Sequence, residues 1–321
     1  MASLSPDRAR WKTVLKGLGI VVIVLVACFL LNLALGGRFL TLTNINAVLS
    51  HAIIVSFTAW VYSFIFALGY MDLSLGAAII LGVQVAGELG NRIGAPGVLI
   101  GGIVAGIAFM VINFNIFAWT KIPSWIAGLG MCMLYEAITV RYGSSTVDKM
   151  TVLLQDEYRT ISKAPFIYIL FAVGFIFAYM VYNRTSIGLN ARAIGSNASV
   201  AKGMGISVPK TLILTGVVCG ILLGCAIALQ SSYNGRIISQ SGMRTLTTVF
   251  QPLAALLLAQ AIQKKINIII AIPLCSLLIY VCFNVMTMLG VPSGSLQEFC
   301  LGVLVVVFGI LSSRGKKGVV K

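Results

Sequence analysis

Residues 184–210 read RTSIGLNARAIGSNASVAKGMGISVPK, and this stretch decides how the rest of the chain is read. It carries Arg184, Arg192, Lys202 and Lys210, has no acidic residue, and lies between long, almost purely apolar sequences. Small residues and basic charge between two apolar runs of about 20 residues describe a water-exposed loop joining membrane spans. Lys and Arg collect in the cytoplasmic loops of such proteins, so the loop is expected in the cytoplasm. Within it, Asn197 is predicted to cap a short helix running from Ala198 to Met204, with Gly203 and Gly205 near its end and Pro209 beyond. Met204 and Ile206 are expected to present apolar surface beside the positive charge. Such a helix, tied to two spans, would connect a cytoplasmic partner to the membrane. The plainer reading is a solvated helix with no partner.

Composition agrees with a membrane setting. The chain has 321 residues, 59% hydrophobic and 10% charged, against about 25% charged for a soluble domain. Mean hydropathy is +1.02. In a soluble chain the net charge of +15 would suggest nucleic acid. Here no basic stretch has the interleaved aromatics that base stacking needs, and loop topology accounts for the charge. The seven cysteines all lie in apolar segments, none in a CxxC, and His51 is the single histidine. No metal site is expected from these. No GxxxxGK[ST] phosphate loop occurs, so this chain is not expected to hydrolyse ATP by that route.

Ten spans are predicted, near 17–36, 48–68, 73–90, 96–118, 124–141, 165–183, 211–230, 245–262, 266–289 and 297–312. The fold class is thus an all-α, polytopic transmembrane bundle, read as one transmembrane domain over 1–321 with short basic tails at 1–16 and 313–321. The basic N-terminus followed by an apolar run reads as a retained first span, not a cleaved signal. With that terminus inside, the cytoplasmic segments collect Arg8, Arg10, Lys12, Lys16, Lys121, the four basic residues of 184–210, Lys264, Lys265, Arg314, Lys316, Lys317 and Lys321, the larger share of the 23 Lys and Arg. Both termini are therefore expected in the cytoplasm.

Two loops then fall outside, 142–164 and 231–244. They are either solvated connectors or a docking surface for a soluble delivery protein, with Arg159, Arg236 and Arg244 as carboxylate anchors. Glycines at 97, 101, 102 and 106, and again at 216, 220 and 224, fall on small-xxx-small spacing and predict close helix seams. Ionisable residues inside spans are few. Glu136 and Arg141, five apart, are a plausible pair, and Asp72 is expected to cap a helix start. A neutral solute would need polar, uncharged side chains along its path, for which Asn113, Asn115, Gln230, Asn234, Gln251 and Asn284 are candidates.

Three motifs carry a resemblance. AIGSNASVAKGMGISV, residues 193–208, after Arg184, Thr185 and Gly188, resembles the cytoplasmic segment of ribose-type sugar permeases of ATP-binding-cassette importers. MDLSLGA, residues 71–77, is similar to the Asp-Leu-Ser-x-Gly signature of that family, here Asp72, Leu73, Ser74 and Gly76 at a helix break. Asn284, Leu289-Gly290-Val291 and Gln297 before the last span match a third pattern. The resemblance implies a non-catalytic permease subunit in the cytoplasmic membrane. A separate ATPase that carries ATP and Mg would engage Gly195, Asn197, Ala201, Lys202, Met204, Gly205 and Ile206. A second permease subunit and an extracytoplasmic binding protein would complete the assembly, with a sugar or similar small polar solute as cargo.

The chain also departs from that family. Where a glycine-rich segment is usual, MRTLTTVFQPLAALLLAQAIQKK at 243–265 has Phe250, Gln251 and Pro252 and no glycine. This suggests the divergent half of a heterodimer, with a homodimer from a divergent lineage as the alternative. Rival readings are a nucleoside or branched-chain amino acid permease of the same superfamily, and an ion-coupled secondary transporter built on Asp72, Glu136 and His51.

Overall fold

Apolar residues in runs of about 20 cannot leave their backbone amides unpaired in lipid, so the chain resolves into helices. The computed structural model describes residues 29–120, 122–143, 151–291 and 294–313. The expected first span near 17–36 lies mostly outside these residues, as do the basic tails. Eleven helices follow within the described residues: α1 (Leu42–Ala67), α2 (Leu75–Ile93), α3 (Ala95–Thr120), α4 (Ser124–Gly143), α5 (Phe166–Arg184), α6 (Ser186–Ser196), α7 (Ala198–Gly203), α8 (Val208–Asn234), α9 (Thr247–Ile262), α10 (Ile268–Met288) and α11 (Ser295–Ser313). Each of the other nine expected spans falls on one of them. By length and composition six segments can cross a membrane: α1, α3, α5, α8, α10 and Arg244–Ile262, which contains α9. A shorter apolar helix occupies Leu296–Ser312. The polar residues Gln84, Glu88 and Arg92 in α2, and Glu136 and Arg141 in α4, dilute those two helices.

The exception to the all-helical expectation is a two-stranded antiparallel ribbon. β1 (Thr151–Leu153) pairs with β2 (Arg236–Ile238) in the register Thr151 to Ile238 and Leu153 to Arg236. It joins the two loops expected outside, which therefore lie at the same end of the bundle.

α1 and α8 sit in the middle, with most of their residues buried. α8 packs against α3, α1 and α2, α10 packs against α1 and α9, and α11 lies on α9. The two glycine runs meet. A Cβ at Gly106 would fall 2.6 Å from the Gly224 nitrogen, and one at Gly102 would fall 2.7 Å from the Gly224 carbonyl oxygen. The α3–α8 seam is thus a close backbone approach of the expected kind. Pro273 within α10 leaves the Ile269 carbonyl without its helical donor. The indole N–H of Trp60, fully buried, donates to that oxygen at 3.0 Å. The helix therefore keeps its proline with no orphaned acceptor at that point.

Candidate functional site

The 184–210 segment folds as two helices, not one. Asn197, extended at φ −162° and ψ 105°, ends α6 and begins α7, and its side-chain oxygen accepts from the Ser199 and Val200 amides at 3.0 and 3.1 Å. At the other end Gly205 takes φ +84°. The Gly205 amide then reaches the Lys202 carbonyl at 3.0 Å, and the Ile206 amide reaches that of Ala201 at 3.1 Å. Both ends of a six-residue helix are closed by glycine-type and asparagine-type caps, which holds a helix too short to persist alone.

Ala201 faces inward, and Met204 is 75% exposed. Ile206, expected outside, is half-buried and packs against the core. Its place on the outer face is taken by Val200, 56% exposed, four residues before Met204 and so on the same side of the turn. The sequence reading missed Val200, although that spacing was the signal. Lys202 is exposed between them, and Arg192 lies 4.9 Å over the Tyr182 ring. Gly195 touches the end of α1: a Cβ there would overlap the Ala67 carbonyl oxygen and lie 2.9 Å from the Gly69 nitrogen.

From that contact the chain runs through the break between α1 and α2. Asp72, fully buried, lies two residues before the Ser74 N-cap of α2. Its carboxylate accepts from the Ser74 amide and the Asn113 amide, each at 2.8 Å. Asn113 also donates to Ser74 Oγ at 2.6 Å and accepts from the Tyr135 hydroxyl at 2.8 Å, and Tyr62 donates to the Asp72 carbonyl at 3.1 Å. Four helices thus converge on a buried polar knot. Leu73 is half-buried, its amide nitrogen 2.7 Å from where a Cβ of Gly128 would sit. Gly76 abuts the 245–248 segment, its absent Cβ 2.8 Å from Thr248 Oγ1.

At the other end, Ser239, Met243 and Thr245 tie the 239–245 segment to the bundle, while Ser241, Gly242 and Arg244 stay exposed. Glu136, 3% exposed, accepts from the Met243 amide at 2.7 Å and from the Thr245 amide and hydroxyl at 3.0 and 2.6 Å. Its carboxylate is committed to this segment, whereas Arg141 is exposed. Arg159 is half-buried and turned inward. Its guanidinium donates to the Ser232 carbonyl at 3.0 Å and the Tyr233 carbonyl at 2.5 Å, closing the C-terminal end of α8. Arg236 and Arg244 are exposed.

A cavity of about 410 Å³ lies between α1, α9, α10 and α11, walled by His51, Gln251, Tyr280, Asn284, Gln297 and Glu298 among others. The His51 and Tyr280 rings stack at 4.5 Å and 12°, and Tyr233 meets His51 edge-on at 4.4 Å. Asn284 exchanges amide hydrogen bonds with Asn44 at 2.8 and 3.1 Å. A second cavity of about 650 Å³ shares Thr247 and Glu298 with the first and extends to Arg244 and Gln240. Of the expected path residues, Gln251 and Asn284 are brought together here. Asn113 sits apart in the polar knot, Asn115 donates to the Val111 carbonyl, and Gln230 and Asn234 lie on the last turns of α8. The aromatic cluster was not anticipated: His51 and Tyr280 line the cavity, and Tyr233 braces His51 from a third helix. Among the described residues no group of His, Cys, Asp and Glu could hold a metal ion.

Comparison with known proteins adds to this geometry. A family profile described as branched-chain amino acid transport system / permease component matches residues 44–309. The fructose import permease protein of Rhizobium meliloti is 26% identical over 221 residues, 63% of this chain and 60% of the relative. The L-arabinose ABC transporter permease protein of Azospirillum brasilense is 27% identical over 240 residues, 72% of this chain and 69% of the relative. The autoinducer 2 import system permease protein of Salmonella typhimurium is 25% identical over 234 residues, 69% and 65% of the two chains. The aligned region thus spans about 60% of the fructose permease's length. No solved structure matches the chain.

Proposed function

The chain belongs to the family described as branched-chain amino acid transport system / permease component, and we propose that it is the membrane-embedded permease subunit of an ATP-driven importer. Its cargo is a sugar or a similar small polar solute, as in the names of the fructose and L-arabinose relatives. An extracytoplasmic binding protein delivers the cargo, and a partner ATPase supplies ATP and Mg. The bundle spans the cytoplasmic membrane ten times with both termini inside.

The observation that carries this reading is α7: a doubly capped six-residue helix that holds Val200 and Met204 outward and is joined through Gly195 to the end of α1. A partner that grips the Val200–Met204 face moves α6 and α7 as one piece, and the α1–α2 break with them. The β1–β2 ribbon supports the proposed orientation, since it collects the two loops assigned to the outside at one end. In the full complex, Met204→Asp is expected to abolish solute-stimulated ATP hydrolysis while the chain still inserts and melts as the wild type does. Retained stimulation would overturn the assignment.

A second reading, an importer of branched-chain amino acids, is favoured by the family's description. Competition for uptake by L-leucine against D-fructose separates the two. The glycine-free α9 supports a heterodimer with a second permease. A chain purified alone that forms an active complex with the ATPase would count against it.

A further inference from the structure

The 410 Å³ cavity is of small-molecule size, within the range of about 300–1,000 Å³ for such sites. Its walls supply two kinds of surface. One is aromatic and rigid: His51 from α1 and Tyr280 from α10 line the cavity stacked at 4.5 Å, and Tyr233 from α8, outside the lining, braces His51 edge-on at 4.4 Å. Each ring's orientation is fixed by its neighbour, so little side-chain freedom is lost when a guest lies against them.

The other surface is polar, almost free of charge, and only partly used. Asn284 is held by its reciprocal pair with Asn44, which leaves one N–H and one lone pair free. Thr247 and Thr248 donate their hydroxyl protons to the Arg244 and Thr245 carbonyls, so toward the cavity their oxygens act as acceptors. Gln251, half-buried, has no side-chain partner among the described residues. Among the described residues Glu298 is the one carboxylate of the wall, and no Lys or Arg lines this cavity.

That inventory selects a guest. Acceptor oxygens and one carboxylate ask for several O–H donors, while the aromatic wall asks for a C–H face. An anion finds no cation here. A zwitterionic amino acid finds no partner for its carboxylate short of Arg244, which lines the adjoining cavity.

We propose that this cavity is an outer-side subsite for a neutral, hydroxyl-rich solute of monosaccharide size, with Tyr280 stacked on its C–H face and Gln251 and Asn284 reading its hydroxyls. The proposal rests on the importer reading for the direction of transport, not for binding.

The test uses the full chain in lipid nanodiscs without any partner, read by saturation-transfer NMR with D-fructose, L-arabinose and L-leucine as probes. Saturation of at least one sugar's C–H protons is expected, with affinity falling roughly three- to tenfold in Tyr280→Leu and again in Gln251→Leu. Tyr280→Phe keeps the stack and should keep binding, so the proposal stays testable if the leucine variant misfolds. No transfer to either sugar overturns the site, as does transfer that none of these variants changes. Transfer to L-leucine that displaces the sugars overturns it in favour of a zwitterion reaching Arg244. No ATPase is present, so a negative result leaves the importer reading standing. Stimulation retained in the Met204→Asp complex would sink that reading alone.

Discussion

Gly195→Ala tests whether α6 and α7 deliver motion to the bundle through one contact. A Cβ at Gly195 would lie 2.9 Å from the Ala67 carbonyl carbon and from the Gly69 nitrogen, with the Ala67 oxygen closer still. Ordinary contact begins near 3.4 Å, so α6 must retreat from α1 by more than about half an ångström, and the obstruction is backbone that cannot rotate aside. Overpacking of this kind costs about 1–3 kcal/mol. The contact lies at an exposed edge of the bundle, so the expected response is a hinge of α6 and α7 away from α1 without unfolding. Thermal unfolding of the purified chain should fall by a few degrees. Solute-stimulated ATP hydrolysis in the assembled complex should fall by much more, because a displaced connector delivers its stroke late. Gly203→Ala is the control: nothing lies within 4 Å of its added methyl, and alanine favours a helix by up to about 1 kcal/mol. If Gly195→Ala lowered stability yet left coupling at the wild-type level, the contact would be mere packing and the transmission argument would fail.

Glu136→Ala strands two backbone amides and a hydroxyl of the 243–245 segment. A loss of at least about 3 kcal/mol is expected, seen as a large fall in unfolding temperature, with Glu136→Gln intermediate. Arg159→Ala should destabilise by about 1–3 kcal/mol through the freed Ser232 and Tyr233 carbonyls while leaving affinity for the binding protein unchanged. Arg236→Glu and Arg244→Glu should do the reverse, weakening docking in a salt-dependent way at constant stability, as surface-plasmon titration would show. Trp60→Phe leaves the Ile269 carbonyl without a donor inside the core and should cost about 1–3 kcal/mol in thermal unfolding.

Much of the helical architecture was legible because its signals are local. Helix positions follow from apolar runs, and the α7 caps follow from Asn197 and Gly205, since a cap is settled within four residues. The α3–α8 seam follows from glycine spacing, because only small residues let backbones close. The direction of single side chains was less accessible. Ile206 turns inward because the turn at Gly205 folds the chain back on Ala201, and residue type does not report that reversal. Arg159 looks like a surface anchor, yet the end of α8 offers it two unpaired carbonyls, a stronger claim than water makes.

By itself the sequence determined a membrane-embedded helical chain, a basic loop with a short capped helix, and the family motifs at 71–77 and 193–208, since all three depend on hydropathy and short-range hydrogen bonding. Tertiary structure decided what those parts touch. Met243 and Thr245 turned inward onto Glu136, Asp72 joined Asn113 and Tyr135, Gly195 met Ala67, and His51, Tyr233 and Tyr280 came together from three separate helices. Such meetings depend on how whole helices pack, and the pairing of residues 40 to 230 positions apart leaves no periodic trace in a single chain.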